Sequence, residues 1–570
     1  MTKDPAQSAP VRASKVVRSA RAEALLGSAP DEQIAAALEA EKWARAADLI
    51  AHFGERLLLD DGTRGLSAFL GALPEPELAR HPKVLAIAAW VHVFQQRYHD
   101  ARQRLSQAER ALKQLELSES HAQRDEVELN PHAELKQSLA ALRLHLQVVA
   151  EGRIPDDVAE IMIPASTDHP LWRAGALIIL GRCRLHAGEL AAAREDLQAA
   201  LTLAQTSRGK RALRTAAEAT VLLGQVAQVR AALREADQRF AEVSARTEEI
   251  LAAHVASAEV GRASVALDRL ELDHASTSIQ RARELALAHS EGAHGAQDPL
   301  SLAFDLGRVD AWTRALSGDP DTARTTLDQV ERSLTAHLIR WPMELLGIER
   351  ARLALLRGDE SIARRWQQHQ AMQRGSKGQG ADTTAVPTHQ MSAQVHLMSA
   401  QVHLALRQPD EARQLANQVL AFAEGHQHLR LAVEALVQLA LAEFAAGQRE
   451  AARSALVAAI EAAEPERIAR PFVQRGLTEL AAELGLEHPL LAKAAAVLPA
   501  VAHNRERPIP RASVSGPIET AQVQAHSDTS PIETDAEPST GTEPTSHTAP
   551  AEPDAPDTTE PTSEVASATA

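Results

Sequence analysis

Small and apolar residues recur along the chain in a fixed order. The stretch "LIILGRCRLHAGELAAAREDLQAAL" shows it most plainly: Gly181 is small, Gly188 falls where a turn belongs, and Ala193, Leu197 and Ala200 follow at intervals of four and three. Such intervals put side chains on one face of an α-helix. The same order returns with Ala89, Ala101, Leu105 and Ala108, and with Gly224, Ala236, Phe240 and Val243. It returns again with Ala311, Gly318, Ala323, Leu327 and Val330, and with Ala440, Gly447, Ala452, Leu456 and Ala459. Weaker copies centre on Ala275, Ala363 and Ala412. In each full copy the first small residue precedes the first alanine of the stripe by twelve positions.

That constant distance has a geometric cause. Two antiparallel helices approach closely only where both carry small side chains, and a turn of fixed length is needed to bring those positions together. The pattern predicts helix–turn–helix units of the tetratricopeptide (TPR) type, stacked into an all-α solenoid or superhelix across residues 29–503. The stripe alanines from 193 to 452 step by 39 to 49 residues, against about 34 in the standard repeat, so the helices or linkers are longer. A degenerate unit with one long helix in "HAELKQSLAALRLHLQVVAEG" is expected between residues 108 and 170.

One segment, "MSAQVHLMSAQVHL" (391–404), is a heptad written twice. Seven residues turn a helix through about 700°, roughly 20° short of two turns, so the copy keeps every side chain on its face. Ala400 lies twelve before Ala412, which predicts a single helix over about 391–406 with two stripes. Met391, Val395, Met398 and Val402 form one, and Ala393, Leu397, Ala400 and Leu404 the other. Ser392, His396, Ser399 and His403 are expected on a polar side. The segment just upstream, about 374–388, reads as a flexible loop.

Composition adds to this reading. Hydrophobic residues make up 45% of the 570, aromatics only 3%, and alanine and leucine are strong helix formers. Cys183 is the one cysteine, so neither an internal disulfide nor a cysteine zinc site is possible; burial is its expected role. No apolar run reaches the roughly 18 residues a membrane span needs, and the N-terminus shows no secretory signal. A cytoplasmic protein is expected. The formal charge is −16, but eleven acidic residues and no Lys or Arg lie from Ala512 onward, leaving −16 + 11 = −5 on the rest. Neither part is basic enough for direct nucleic-acid binding. Residues 504–570 form a Pro/Thr/Glu-rich acidic tail, expected to be disordered, with "PIET" at Pro517 and Pro531 as a candidate docking peptide. Residues 1–28 are expected to be a flexible N-terminal segment.

With the repeats placed, the chain resembles a known family. Trp43, Ala46, Ala47, Leu49 and Ile50 in one segment, then Leu70, Leu73, Pro74, Pro82, Leu85, Ala89 and Trp90, are similar to the opening of the MalT-like TPR region of the large ATP-dependent LuxR-type transcriptional regulators. "HPLWRAGALIILGRC" and "AEPERIARPFVQRG" resemble its middle and end. The resemblance spans about residues 31–480. It implies a sensor or assembly region that binds an inducer or protein partner, with self-association possible. The family's phosphate-cradling loop has no counterpart here, since G-x-x-x-x-G-K-[ST] does not occur, and no LuxR-type helix-turn-helix follows residue 480. DNA binding is therefore not implied.

No catalytic, cofactor-binding or metal-ligating constellation is apparent, and His426 and His428 read as polar groups between two helices. The concave face of a solenoid is its usual binding surface. The repeat register places Trp90, Arg182, His186, Gln225, Trp312 and Arg352 there. The sequence thus predicts a non-enzymatic regulatory protein that acts in transcription regulation and binds a protein partner or small effector through its superhelix; a general protein-interaction scaffold with no direct role in transcription is the alternative.

Overall fold

The computed structural model describes residues 29–502, apart from 61–62, 96, 123–131, 148–169, 247, 249–250, 293–298, 337–340, 362–363, 366, 369–386 and 388. The expected N-terminal segment, the loop near 374–386 and the acidic tail with its two PIET copies lie outside the described residues. Of the predicted degenerate unit, residues 123–131 and 148–169 lie outside them as well, while most of its long helix is described. Among the described residues there are 22 α-helices and no strand.

The N-terminal helices are α1 (Pro30–Glu39), α2 (Trp43–Asp60), α3 (Thr63–Ala72), α4 (Glu75–Arg80), α5 (Pro82–Phe94), α6 (Tyr98–Ala122) and α7 (Ala133–Leu146). The repeats continue with α8 (Pro170–Ala187), α9 (Leu190–Thr206), α10 (Lys210–Val229), α11 (Leu233–Ser244), α12 (Ala252–Asp268) and α13 (Leu272–Gly292). Then come α14 (Pro299–Leu316), α15 (Pro320–Ala336), α16 (Trp341–Leu356), α17 (Gln390–Ala405), α18 (Pro409–Gly425), α19 (Leu429–Ala445) and α20 (Arg449–Ala463). Two short helices, α21 (Leu477–Glu483) and α22 (Pro489–Ala502), close the series.

The twelve-residue spacing is the seam of each hairpin. Ala89, Ala101, Ala193, Ala236, Ala263, Ala275, Ala311, Ala323, Ala400, Ala412, Ala440 and Ala452 are all fully buried. A Cβ on Gly181 would lie 2.7 Å from Leu197, four residues along the facing stripe. Phe240 holds the same stripe position in its repeat. It seats its ring between two hairpins, where a Cβ on Gly224 or Gly261 would come within 2.6 or 2.5 Å. Full burial of such a ring contributes on the order of 3 kcal/mol, and the glycines make room for it.

Each described repeat turn is made in one way. Gly188, Ala231, Leu270, Gly318, Gly358, Arg407 and Gly447 stand five residues before their stripe alanines, and all have positive φ, from 55° to 93°. Glycine adopts this left-handed backbone freely. The three other residue types do so at a cost of roughly 1 kcal/mol each, which the packing of the flanking helices offsets.

Within the repeats, first helices pack on the first helices that follow: α8 on α10, α10 on α12, α12 on α14, α14 on α16, α16 on α17 and α17 on α19. They form the inner layer, and the second helices lie outside it. The winding is tight enough for distant hairpins to meet, with α8 against α17 and α10 against α19. Among the described residues no helix is long and apolar enough to cross a membrane.

Candidate binding surface on the inner face

First-helix residues that follow the small seam position point away from their own hairpin, so they meet the next first helix or stay open on the inner face. The six residues singled out by register divide between these outcomes. Trp90 on α5 is 6% exposed. Its indole Nε1 faces Ser138 Oγ of α7 at 3.4 Å, and its ring lies 6.1 Å from that of His145. Arg182 on α8 reaches Glu218 on α10 at 2.6 Å, and both side chains keep about a quarter of their exposure, 25% and 24%. His186 lies one turn further along α8, and Gln225 two turns beyond Glu218 on α10; both are half-buried.

Trp312 and Arg352 lie deeper. Trp312 Nε1 donates to Glu349 Oε2 at 2.8 Å, and the Arg470 guanidinium stacks 4.3 Å from the Trp312 ring centre. Arg352 donates to Gln394 of α17 at 2.7 Å and to Glu434 of α19 at 3.3 Å, which ties three successive first helices together. The centre of this region is the fully buried Asp268 carboxylate. It accepts from Gln228 Nε2 at 3.0 Å and meets Arg430 at 3.1 Å and Arg470 at 3.7 Å. Arg308 approaches Glu349 at 3.6 Å.

The inner face therefore has a packed stretch around Asp268 and Glu349 and an open stretch around Arg182. Charge behaviour differs between them. In the packed stretch, burial would raise the Glu349 carboxyl, but Arg352, Arg470, Arg308 and the Trp312 N–H outweigh it and hold Glu349 below the usual carboxylate range. Burial and the neighbouring Arg430 charge push Arg470 down to about 10. In the open stretch, burial and the Arg182 charge lower His186 to about 4 and His145 to about 3, so both rings are neutral at physiological pH. Burial raises Asp305 on α14 above its ordinary range, opposed by Arg308 and Arg182. A neutral imidazole both donates and accepts, and a half-exposed Arg–Glu pair offers a fork of donors beside an acceptor. This is chemistry for recognition by hydrogen bonds. Among the described residues no group of three or more His, Cys, Asp and Glu is placed to hold a metal ion. Burial pushes the Cys183 thiol up to about 12, which keeps it protonated and unreactive.

The residues that register alone does not reveal are Asp268, Arg430, Arg470 and Glu434. Three of them sit at helix ends or between helices, where no repeat template applies.

Hairpins of paired helices, joined by one turn geometry and lined inside by polar first-helix residues, define a tetratricopeptide-type repeat protein. The chain belongs to the MalT-like TPR region family, whose family model matches residues 137–482. No curated protein matches the chain. Helices α1 to α6 precede the matched residues, and of these the α5–α6 hairpin carries the small-residue seam, at Ala89 and Ala101.

Proposed function

We propose that the protein is a non-enzymatic, cytoplasmic regulator of transcription that captures a small effector or a protein partner on the open stretch of its inner face. The observation that carries this reading is the partly exposed Arg182–Glu218 pair, flanked by the neutral His186 and by Gln225, on the inner layer of a MalT-like TPR superhelix. Arg182, His186 and Gln225 make the direct contacts. Trp90, Trp312 and Arg352 hold the first helices at the spacing those contacts need.

Deleting the gene and sequencing the cell's RNA tests the reading. A restricted set of transcripts changes, and the wild-type gene restores them. The Arg182→Ala, His186→Ala, Gln225→Ala triple variant, present at wild-type level and with unaltered helical circular dichroism, does not restore them. Full restoration by the triple variant removes the inner-face site, and an unchanged transcriptome removes regulation.

A further inference from the structure

Residues 197–217 hold four basic side chains, Arg208, Lys210, Arg211 and Arg214, and no Asp or Glu. They fall where α9 ends and α10 begins. Arg208 and Lys210 are exposed and Arg214 is half-buried. Among the described residues none of these three has a carboxylate partner. That sets them apart from other arginines of the inner face. Arg182 has Glu218 at 2.6 Å, Arg352 has Glu434 at 3.3 Å, and Arg308 lies between Asp305 and Glu349 at 3.8 and 3.6 Å.

Arg214 matters most among them. It stands four residues before Glu218 and eleven before Gln225 on α10, intervals that keep all three on the inner face. Glu218 is engaged by Arg182, and Asp305, the other carboxylate of this stretch, responds to Arg308 and Arg182. Burial pulls the Arg214 guanidinium below its usual range, and no carboxylate opposes that pull. A partly desolvated cation without a counter-charge is unfavourable until an anion joins it. Space for one lies beside it. Gly175 shares the face of Arg182 on α8, seven residues before it. A Cβ on Gly175 would have Arg211 Nη2, at 3.7 Å, as its one neighbour within 4 Å. Arg211 and Arg214 are three residues apart, about one turn of α10.

We propose that this corner is the anion-binding end of the open stretch, and that the effector captured there carries a phosphate group held by Arg214. Arg208 and Lys210 supply positive potential at the rim. The inference rests on the open stretch being the capture site and adds the charge of what is captured. A guanidinium presents two parallel N–H donors to a phosphate, and several neighbouring cations favour a dianion over a single carboxylate. Arg214 and Gln225 are about 16 Å apart along the axis. The effector is therefore a small phosphate-bearing molecule whose uncharged portion reaches His186 and Gln225.

The test follows thermal unfolding of the full chain as inorganic phosphate is added, with sodium chloride and sodium acetate at matched ionic strength as controls. Phosphate raises the wild-type midpoint saturably, as a ligand of the folded state does, and the controls do not. Arg214→Gln weakens the apparent phosphate affinity at least roughly tenfold, the scale of lost charge-assisted hydrogen bonds. Arg208→Gln with Lys210→Gln weakens it roughly threefold; both positions are exposed, so this pair carries the assay if Arg214→Gln misfolds. Absence of a saturable phosphate shift in the wild type overturns the proposal. So does an equal shift from acetate, or an unchanged affinity in either folded variant. In the deletion strain Arg214→Gln fails to restore the transcripts; full restoration by a variant that has lost phosphate overturns phosphate as the effector's charged group. Failure of the capture reading shows differently: the triple variant restores the transcripts, while the phosphate shift and its dependence on Arg214 stand.

Discussion

His428 shows how one side chain ties local geometry to solution behaviour. It caps the N-terminus of α19, its Nδ1 accepting the Leu431 N–H at 3.3 Å, and it is 2% exposed. Burial, reinforced by the Arg430 charge, lowers the imidazole from 6.5 to about 3. Above pH 6.5 the ring is neutral in both the folded and the unfolded chain, and its titration contributes nothing to pH dependence. Between 6.5 and 3 the unfolded chain holds a proton that the folded chain excludes, so stability falls as pH falls. At pH 5 the expected loss from this group is on the order of 2 kcal/mol relative to pH 7. Asparagine at 428 keeps a capping oxygen but does not titrate. Urea midpoints at pH 7 and pH 5 should therefore differ less for His428→Asn than for the wild type. An identical pH response in the two proteins contradicts the assignment. The sequence placed His426 and His428 between two helices as polar groups; it held no sign that His428 would be buried, because the groups around it belong to other segments.

At the scale of the element, α17 explains how a duplicated heptad is accommodated. The helix spans Gln390–Ala405, within a residue or so of the expected 391–406. His389 caps it, accepting the Ser392 N–H at 3.1 Å while Ser392 Oγ accepts the His389 N–H at 3.2 Å. The two stripes read from the sequence face two different neighbours. Met398 and Val402, with Met391 and Val395 beside them, pack on Ile348 and Ala351 of α16. Ala393 and Leu397 pack on Val419, Phe422 and Leu431, and Ala400 on Ala412 and Ala442. Ser399 departs from the expected polar side, being 6% exposed, because helices close on three sides of α17. Register is thus legible in the sequence while the extent of burial is not. One alanine inserted between Leu397 and Met398 rotates one half of the helix against the other by about 100° and turns one copy of both stripes off its partners. A third heptad copy at the same point rotates it by only about 20°. The single-residue insertion should cost on the order of 4 kcal/mol or prevent folding, and the seven-residue insertion clearly less. Chemical denaturation of both proteins decides this, and equal loss would mean that face matching does not govern α17.

For the whole molecule, the winding of the superhelix separates what the sequence discloses from what it conceals. Each hairpin is legible because its partners lie twelve to nineteen positions apart on a repeating template. The contacts that join distant hairpins have no such signal: Asp268 meets Arg430 and Arg470, and the α8–α9 turn meets α17 and α18. For the same reason the register of Trp312 and Arg352 carries no sign that Glu349, Gln394 and Glu434 engage them. These contacts have an energetic consequence. A solenoid with nearest-neighbour contacts alone unfolds repeat by repeat, and damage stays local. Here Gly188, at φ 93°, leaves space at 3.0 Å from its would-be Cβ for the ring tip of Phe422, far later in the chain and 1% exposed. Phe422→Ala empties that seat and should cost about 3–5 kcal/mol. Part of the loss should appear in the α8–α9 hairpin as faster amide hydrogen exchange at Glu189 and Leu190. Leu105→Ala in α6, a buried stripe residue of comparable kind, should leave the exchange of α17 and α18 unchanged. If Phe422→Ala accelerates exchange only within α17, α18 and α19, the two hairpins are energetically independent, and the superhelix behaves as a row of neighbours in spite of its tight winding.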